Sequence, residues 1–146
     1  ERRASPRPVI VVVTSEGIDY STHSAGQVLE ALEASQAATH VIVLKDQATS
    51  AALRAARLEG DHLLDSLHQR DLVLARGPRR TGGQRRDLLM STATRDALDR
   101  LAGILTSQYE VVYSRPASLI PPEQIAVRMR RNDLTAQGTP VRRTGG

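Results

Sequence analysis

Side chains that could bind a metal ion follow the most apolar stretch of this sequence. The run VIVVV at 9–13 ends at Thr14, Ser15 and Glu16, and Asp19 lies shortly after them. Hydroxyl and carboxylate oxygens are the ligands that Mg²⁺ prefers, but this ion demands near-octahedral coordination. One short loop rarely surrounds such an ion by itself. We therefore expect no bound metal and treat these four polar residues as weak candidates for Mg²⁺.

Two other groups of residues are considered as a nucleophilic triad and as a phosphate-binding loop. Asp19, His23 and Ser24 could form a nucleophilic triad, but neighbours at a helix start point apart and the Gly-x-Ser-x-Gly elbow is absent. The segment RTGGQRR at 80–86 has glycines and cations but lacks the phosphate-binding P-loop pattern. Its composition predicts a flexible basic loop over 76–86. We predict no catalytic and no cofactor-binding residues.

The strands and the helix around the loop at 14–19 can be predicted from hydrophobic periodicity. A continuous β-branched run over 9–14 predicts a strand buried on both faces, and HVIVL at 40–44 predicts a second one. Between them, Ser24 and Gln27 fit a capping box that starts a helix reaching about residue 37. A strand, a helix and a strand at this spacing predict parallel pairing with a right-handed crossover.

The rest of the chain is predicted to contain helices, a third strand and a hairpin. A helical pattern over 48–58 is broken at Gly60 and continues from Leu63 up to Gly77-Pro78. A further helix over 95–108, capped by Ser91, Thr92 or Thr94, has an apolar stripe centred on Leu101. YEVVY at 109–113 reads as a third strand, and strict alternation over 125–131 predicts a hairpin with 134–139.

Composition limits the classes of function. The 146 residues suit one domain, and the absence of cysteine excludes disulfides and zinc–thiolate sites. Three tyrosines are the only aromatic residues, which argues against stacking platforms for nucleic acid. The net charge of +4 comes from nineteen arginines and one lysine, and the arginine pairs are dispersed along the chain. This pattern favours an anionic protein face or a membrane surface over nucleic acid.

Nearly the whole chain resembles the C-terminal half of a von Willebrand factor type A domain of the bacterial, VWFA-related branch. VIVVVTSEGIDYS at 9–21 is similar to the fourth strand and metal-site loop of that fold, and HVIVL is similar to the fifth strand. Thr-Gly-Gly at 81–83 followed by ALDRLAGILTSQYEVVYSRP at 97–116 is similar to the closing helix and sixth strand. The pattern SQY-x-V-x-Y-x-R-P at 107–116 is the most specific part of this resemblance.

This sequence departs from the family pattern at the residues that form the family's metal site. The family's first strand carries Asp-x-Ser-x-Ser, which this sequence lacks, together with the first three strands. The Asp that usually follows Thr in the fourth-strand loop is Ser15 here. The resemblance therefore implies a degenerate metal-ion-dependent adhesion site.

Together, these observations predict a three-layer, Rossmann-like α/β fold with a mostly parallel sheet and a C-terminal β-hairpin. We expect a basic arm at 1–8, an α/β half-domain at 9–116, and a Pro-rich connection, hairpin and basic tail at 117–146. The expected function is a non-catalytic interaction or scaffold module, periplasmic or extracellular, in a larger assembly. The alternatives are a metal-dependent hydrolase using the 14–19 loop, or a basic module docking on an anionic membrane or nucleic acid.

The expected partner is another protein chain or the missing N-terminal half of the precursor. Val9–Val13 would present bare backbone groups along one edge if no first strand covered them. Arginines would add electrostatic docking at the rim. The residues predicted to contact the partner are Val9, Val11, Val13, Arg79, Arg80, Arg85, Arg86, Arg128 and Arg130.

Overall fold

The structure of the chain is a computed structural model that describes residues 8–18, 21–56, 61–109, 129–131 and 133. In these residues, one helix follows the first strand and two helices in succession separate the second strand from the third. The elements are β1 (Val9–Ser15), α1 (Ala25–Ala34), β2 (Ala38–Leu44), α2 (Gln47–Ala56), α3 (Asp61–Thr81), β3 (Arg85–Leu88), a single 3-10 turn (Ser91–Ala93) and α4 (Thr94–Thr106).

The three strands form one parallel sheet in the order β1-β2-β3. Parallel pairing of β1 with β2 was predicted from the spacing of strand, helix and strand, and it is confirmed with Val12 in register with Val41. The predicted capping box is also confirmed, because the Ser24 hydroxyl accepts from the Gln27 backbone and the Gln27 side chain accepts from the Ser24 N–H. The mixed α/β class predicted from the sequence is therefore correct.

Helices pack on both faces of the sheet. On the first face, Leu74 of α3 packs against Val41 and Val43 of β2, with Val12 of β1 beside them. On the second face, Ala97 of α4 packs against Ile42 and Leu88. The central strand β2 is buried on both faces, as its apolar sequence predicted.

The prediction that β1 is also buried on both faces is wrong. Its side chains alternate between partly buried and exposed, and Val11 and Val13 are 42% and 46% exposed. These two valines lie in register with His40 and Ile42, on the face that α4 covers over β2. Among the described residues, α4 covers the middle of this face but leaves the β1 side of it open.

The prediction of a flexible basic loop over 76–86 is also wrong. Helix α3 continues through Gly77 and Pro78 to Thr81, and β3 begins at Arg85. Pro78 is fully buried and Gly77 leaves room for the Leu32 side chain of α1, since a Cβ at Gly77 would lie 3.1 Å from it. Packing of α3 on α1 and on the sheet thus outweighs the helix-breaking tendency of proline.

Smaller boundary errors have similar causes. α1 ends at Ala34, before the predicted residue 37, and α4 begins after Ala93 without a side-chain cap from Ser91, Thr92 or Thr94. The apolar stripe of α4 is rotated from the predicted one, because Ala97 and Leu101 are buried while Leu98 is 39% exposed. The predicted third strand beyond Tyr109 and nearly all of the hairpin lie outside the described residues, as does the basic arm before Pro8.

Candidate functional site

The loop that follows β1 is held by side chains of α2 and α3 and by the residue that follows β2. Arg70 of α3 donates from Nη2 to the Thr14 hydroxyl at 2.9 Å and to the Ser15 carbonyl. Ser50 of α2 donates to the Glu16 carboxylate, and Lys45 Nζ lies 4.0 Å from the same carboxylate. The oxygens proposed as weak metal ligands are thus contacted by hydrogen-bond donors of the chain itself.

This arrangement places two fixed cations beside the oxygen-rich loop. The guanidinium of Arg70 and the ammonium of Lys45 provide the positive charge that a bound cation would otherwise supply. Asp19, the fourth weak candidate, lies outside the described residues. No group of three or more acidic, histidine or cysteine side chains suited to a metal occurs in the described part of the chain. The expectation of weak Mg²⁺ binding rests on the positive charge that Arg70 and Lys45 place beside these oxygens.

We expect the loop after β1 not to bind divalent metal tightly, because Arg70 and Lys45 repel a cation from the Thr14 and Glu16 oxygens. Isothermal titration with Mg²⁺ and Mn²⁺ should show no micromolar site. Glu16→Ala serves as the control, since it removes the only carboxylate described in this loop. A micromolar site that disappears in Glu16→Ala would contradict the prediction.

The other hypothetical sites are not assembled by the described residues. The Ser24 hydroxyl accepts from the Gln27 N–H at 3.3 Å, and His23 and Ser24 are both exposed at the start of α1. This capping role directs the Ser24 hydroxyl at the helix backbone, where it gives no triad geometry. Gly83 packs against the Thr39 backbone and so does not form a phosphate cradle.

Four of the candidate arginines lie on a helix or a strand, and two of these four have intramolecular ion-pair partners. Arg79 and Arg80 occupy the last turn of α3, and Arg80 pairs with Glu33 at 3.0 Å. Arg85 pairs with Asp87 at 2.8 Å within β3. Arg79 and Arg85 line an open cleft of ≈ 320 Å³. Among the other candidates, Arg86 is partly buried on β3, Arg130 is exposed, and Arg128 lies outside the described residues.

Sequence reasoning missed a small ionic network at the end of β3. Lys45 Nζ lies 3.3 Å from an Asp87 carboxylate oxygen, and Arg85 pairs with the same carboxylate. Partial burial raises the pKa of Asp87, but hydrogen bonds and charge from Arg85 and then Lys45 outweigh burial and hold this pKa below its ordinary value. The alternation Arg85-x-Asp87 on one strand was the available signal, hidden by the assumption of a loop.

The lowered pKa of Asp87 predicts a pH-dependent contribution to stability. A carboxylate whose pKa is lower in the folded state stabilises the fold above its unfolded pKa of about 3.9, and this contribution is lost as the pH falls through the lower folded value. Asp87→Asn should reduce the free energy of unfolding at pH 7 by less than about 1 kcal/mol, because the side chains of Asp87, Arg85 and Lys45 all remain partly exposed and solvent screens their charges. Urea unfolding of both proteins from pH 7 to pH 2 should show the difference vanish at the acidic end. A difference that stays constant over this range would contradict the assignment.

The backbone of β1 has a free edge among the described residues. The Ala38 N–H donates to the Pro8 carbonyl at 3.0 Å, and the Glu16 N–H donates to the Leu44 carbonyl at 3.2 Å. In a parallel ladder, backbone groups point alternately to the two sides of a strand. Even-numbered residues of β1 therefore bond to β2. The odd-numbered residues direct their N–H and C=O groups away from β2.

The two edges of the sheet differ in how they are protected. Three of the four residues of β3 are charged, namely Arg85, Arg86 and Asp87. Short strands and charged side chains are common protection against unwanted pairing. β1 has seven residues, and its first five, VIVVV, are all apolar. Such an edge is suited to receive another strand.

No known protein family, curated protein or solved structure matches the chain. Within the described residues, no helix has both the length and the apolar character needed to cross a membrane.

Proposed function

We propose that this protein is a non-catalytic interaction module that binds a partner chain by β-strand addition along β1. The observation that carries the proposal is the unprotected edge of β1, where the backbone groups of Val9, Val11 and Val13 point away from β2. Main-chain hydrogen bonds to such an edge provide affinity, and side chains at alternate positions provide specificity.

The exposed valines support the same function. Val11 and Val13 project onto the uncovered part of one sheet face, so an added strand would place its own side chains beside theirs and cover part of their surface as well as pair their backbone groups. Burial of apolar surface is a favourable contribution to protein association. The partner chain should therefore present apolar residues at every second position.

We further propose that the chain is a degenerate von Willebrand A-like domain, which would account for the free edge of β1. In the resembled fold, the first strand lies beside the strand that corresponds to β1. The resemblance thus offers a reason for the free edge, and the contacts of Arg70 and Lys45 support the loss of a metal site. We also propose a periplasmic or extracellular location and a role in a larger assembly. If an N-terminal half of the precursor supplied the strand, Val11→Pro would destabilise a longer chain that includes this half, because the Val11 N–H would then belong to a ladder.

Val11→Pro is expected to block strand addition and leave the fold intact. Proline removes the Val11 N–H, which points to the free side, and edge strands accept proline at such positions. At high protein concentration, an open β1 edge should also produce weak pairing between two copies, which would disappear in Val11→Pro. Light scattering after size exclusion, over a range of concentrations, would measure this.

The matched control is Val12→Pro, at the neighbouring position whose N–H belongs to the β1–β2 ladder. This change should destabilise the protein, as shown by thermal unfolding, whereas Val11→Pro should not. A wild-type protein that is monomeric at all concentrations, with rapidly exchanging Val11 and Val13 amides, would contradict the expected pairing. A dimer that persists on dilution would show that the occupant is a second copy and not a partner chain.

A further inference from the structure

Arg70 occupies one end of the free edge of β1, because it donates a hydrogen bond to a backbone carbonyl there. The Ser15 carbonyl belongs to the set that points away from β2, and Arg70 donates to it. The Thr14 hydroxyl accepts from the same nitrogen and lies 3.2 Å from the Ser15 carbonyl. The backbone groups left for an incoming strand are therefore those of Val9, Val11 and Val13, and the added strand must end beside Arg70.

The charge of Arg70 has no acidic counterpart in the described part of the structure. The ion pairs found there involve Lys45, Arg80, Arg85 and Arg131. The two acceptors of Arg70, a hydroxyl and a carbonyl, are both uncharged, and its side chain is partly buried. A guanidinium has five N–H donors and forms its strongest hydrogen bonds with carboxylates.

We infer that the strand received by β1 carries an Asp or Glu side chain at the end that lies beside Arg70. The inference rests on the proposed strand addition. It adds that Arg70 selects the partner, because only a strand with a carboxylate at this end provides a counter-ion for the guanidinium. The apolar edge supplies backbone pairing that many strands could use, and the charge at its end discriminates among them.

Four short peptides provide the probe. One pair is acetyl-Thr-Val-Thr-Val-Thr-Asp-amide and the same peptide ending in Asn. The other pair is reversed, with Asp or Asn at the amino end. The capped ends remove terminal charges, and the two pairs cover parallel and antiparallel pairing. In fluorescence anisotropy with labelled peptides, the wild-type protein should bind the Asp form of one pair about fivefold or more tightly than its Asn form.

Arg70→Met should reduce this preference to about twofold or less, because it removes the charge and keeps an unbranched side chain. Arg76→Met is the matched control, since Arg76 is an exposed arginine on the same helix and is not among the residues predicted to contact the partner. It should leave the preference unchanged. Arg70→Lys should retain most of it, and raising the salt concentration should weaken it in the wild type. Circular dichroism establishes that each variant is folded.

The outcomes separate this inference from the proposed function. If Val11→Pro leaves peptide binding intact, strand addition along β1 is wrong. If Val11→Pro abolishes binding but Asp and Asn peptides bind equally, only the acidic end is wrong. A preference for Asp that survives in Arg70→Met would also overturn the role of Arg70. No binding of any of the four peptides would count against both proposals.

Discussion

Gly83→Ala is expected to destabilise the protein by about 3 kcal/mol or more, because inserted atoms in a tightly packed region force the backbone to move. A Cβ on Gly83 would lie 1.9 Å from the carbonyl oxygen of Thr39 and 2.5 Å from its carbonyl carbon. Thr39 belongs to the central strand β2, whose backbone is bonded to β1 and β3 on its two sides. The Thr39 carbonyl cannot retreat without disturbing the sheet.

The same position is fixed by contacts from α3. The Gly83 N–H donates to the Pro78 carbonyl at 2.8 Å, and the Thr81 hydroxyl accepts from the Thr39 N–H at 3.0 Å. The end of α3 is therefore bonded directly to β2, and a displacement of Gly83 would break this connection.

Gly103→Ala provides the control for Gly83→Ala. Gly103 lies within α4 with nothing within 4 Å of an added Cβ. Because alanine favours helix more than glycine does, this change should stabilise the protein by about 0.5–1 kcal/mol. Urea unfolding of both variants at low protein concentration measures the two effects. Equal effects of the two changes would show that the approach of Gly83 to Thr39 is not as close as described.

Leu101→Ala is expected to cost about 2–5 kcal/mol of unfolding free energy, as large-to-small changes in a core do. Leu101 is 8% exposed and lies with Ala97 on the face of α4 that covers the sheet. It also lines a cavity of ≈ 20 Å³ together with His40, Ile42 and Ile104. Truncation would enlarge this cavity, and the cost rises with the volume that the surrounding residues fail to refill.

Leu98→Ala is the matched control on the same helix, because Leu98 is 39% exposed. The sequence pattern placed both leucines on one apolar stripe, whereas the structure buries only Leu101. Denaturant unfolding should therefore show a loss of less than about 1 kcal/mol for Leu98→Ala. A loss under about 0.5 kcal/mol for Leu101→Ala would mean that α4 does not cover the sheet.

How far the sequence predicted the fold depends on the range of the interactions. The capping box of Ser24 and Gln27 was predicted correctly because both partners lie within one helical turn. The strands β1 and β2 were predicted over 9–14 and 40–44, within one or two residues of their observed ends, because their β-branched runs are local signals. The segment 76–88 was misjudged, because Gly, Pro and Arg have loop propensities that packing against α1 and pairing with β2 override.

The candidate site was likewise predictable from the sequence only for residues that lie close together along the chain. The oxygens of Thr14, Ser15 and Glu16 were identified from their position after a strand. Their partners Arg70 and Ser50 could not be, because these are 56 and 34 positions away along the chain from Thr14 and Glu16, respectively. A sequence pattern carries no information about which distant helix will bring a cation to a strand end.

By itself, the sequence determined that two apolar strands flank a capped helix and pair in parallel, since hydrophobic periodicity, chain connectivity and local capping dictate that unit. It also determined that the edge of β1 bears neither a charge nor a proline between Val9 and Val13. Only the tertiary structure decided that α4 leaves Val11 and Val13 exposed, that α3 runs through Pro78, and that Arg70 ends the free edge at Ser15. These three features depend on how helices distant in sequence pack on the sheet, and the free energy of that packing is a property of the assembled fold.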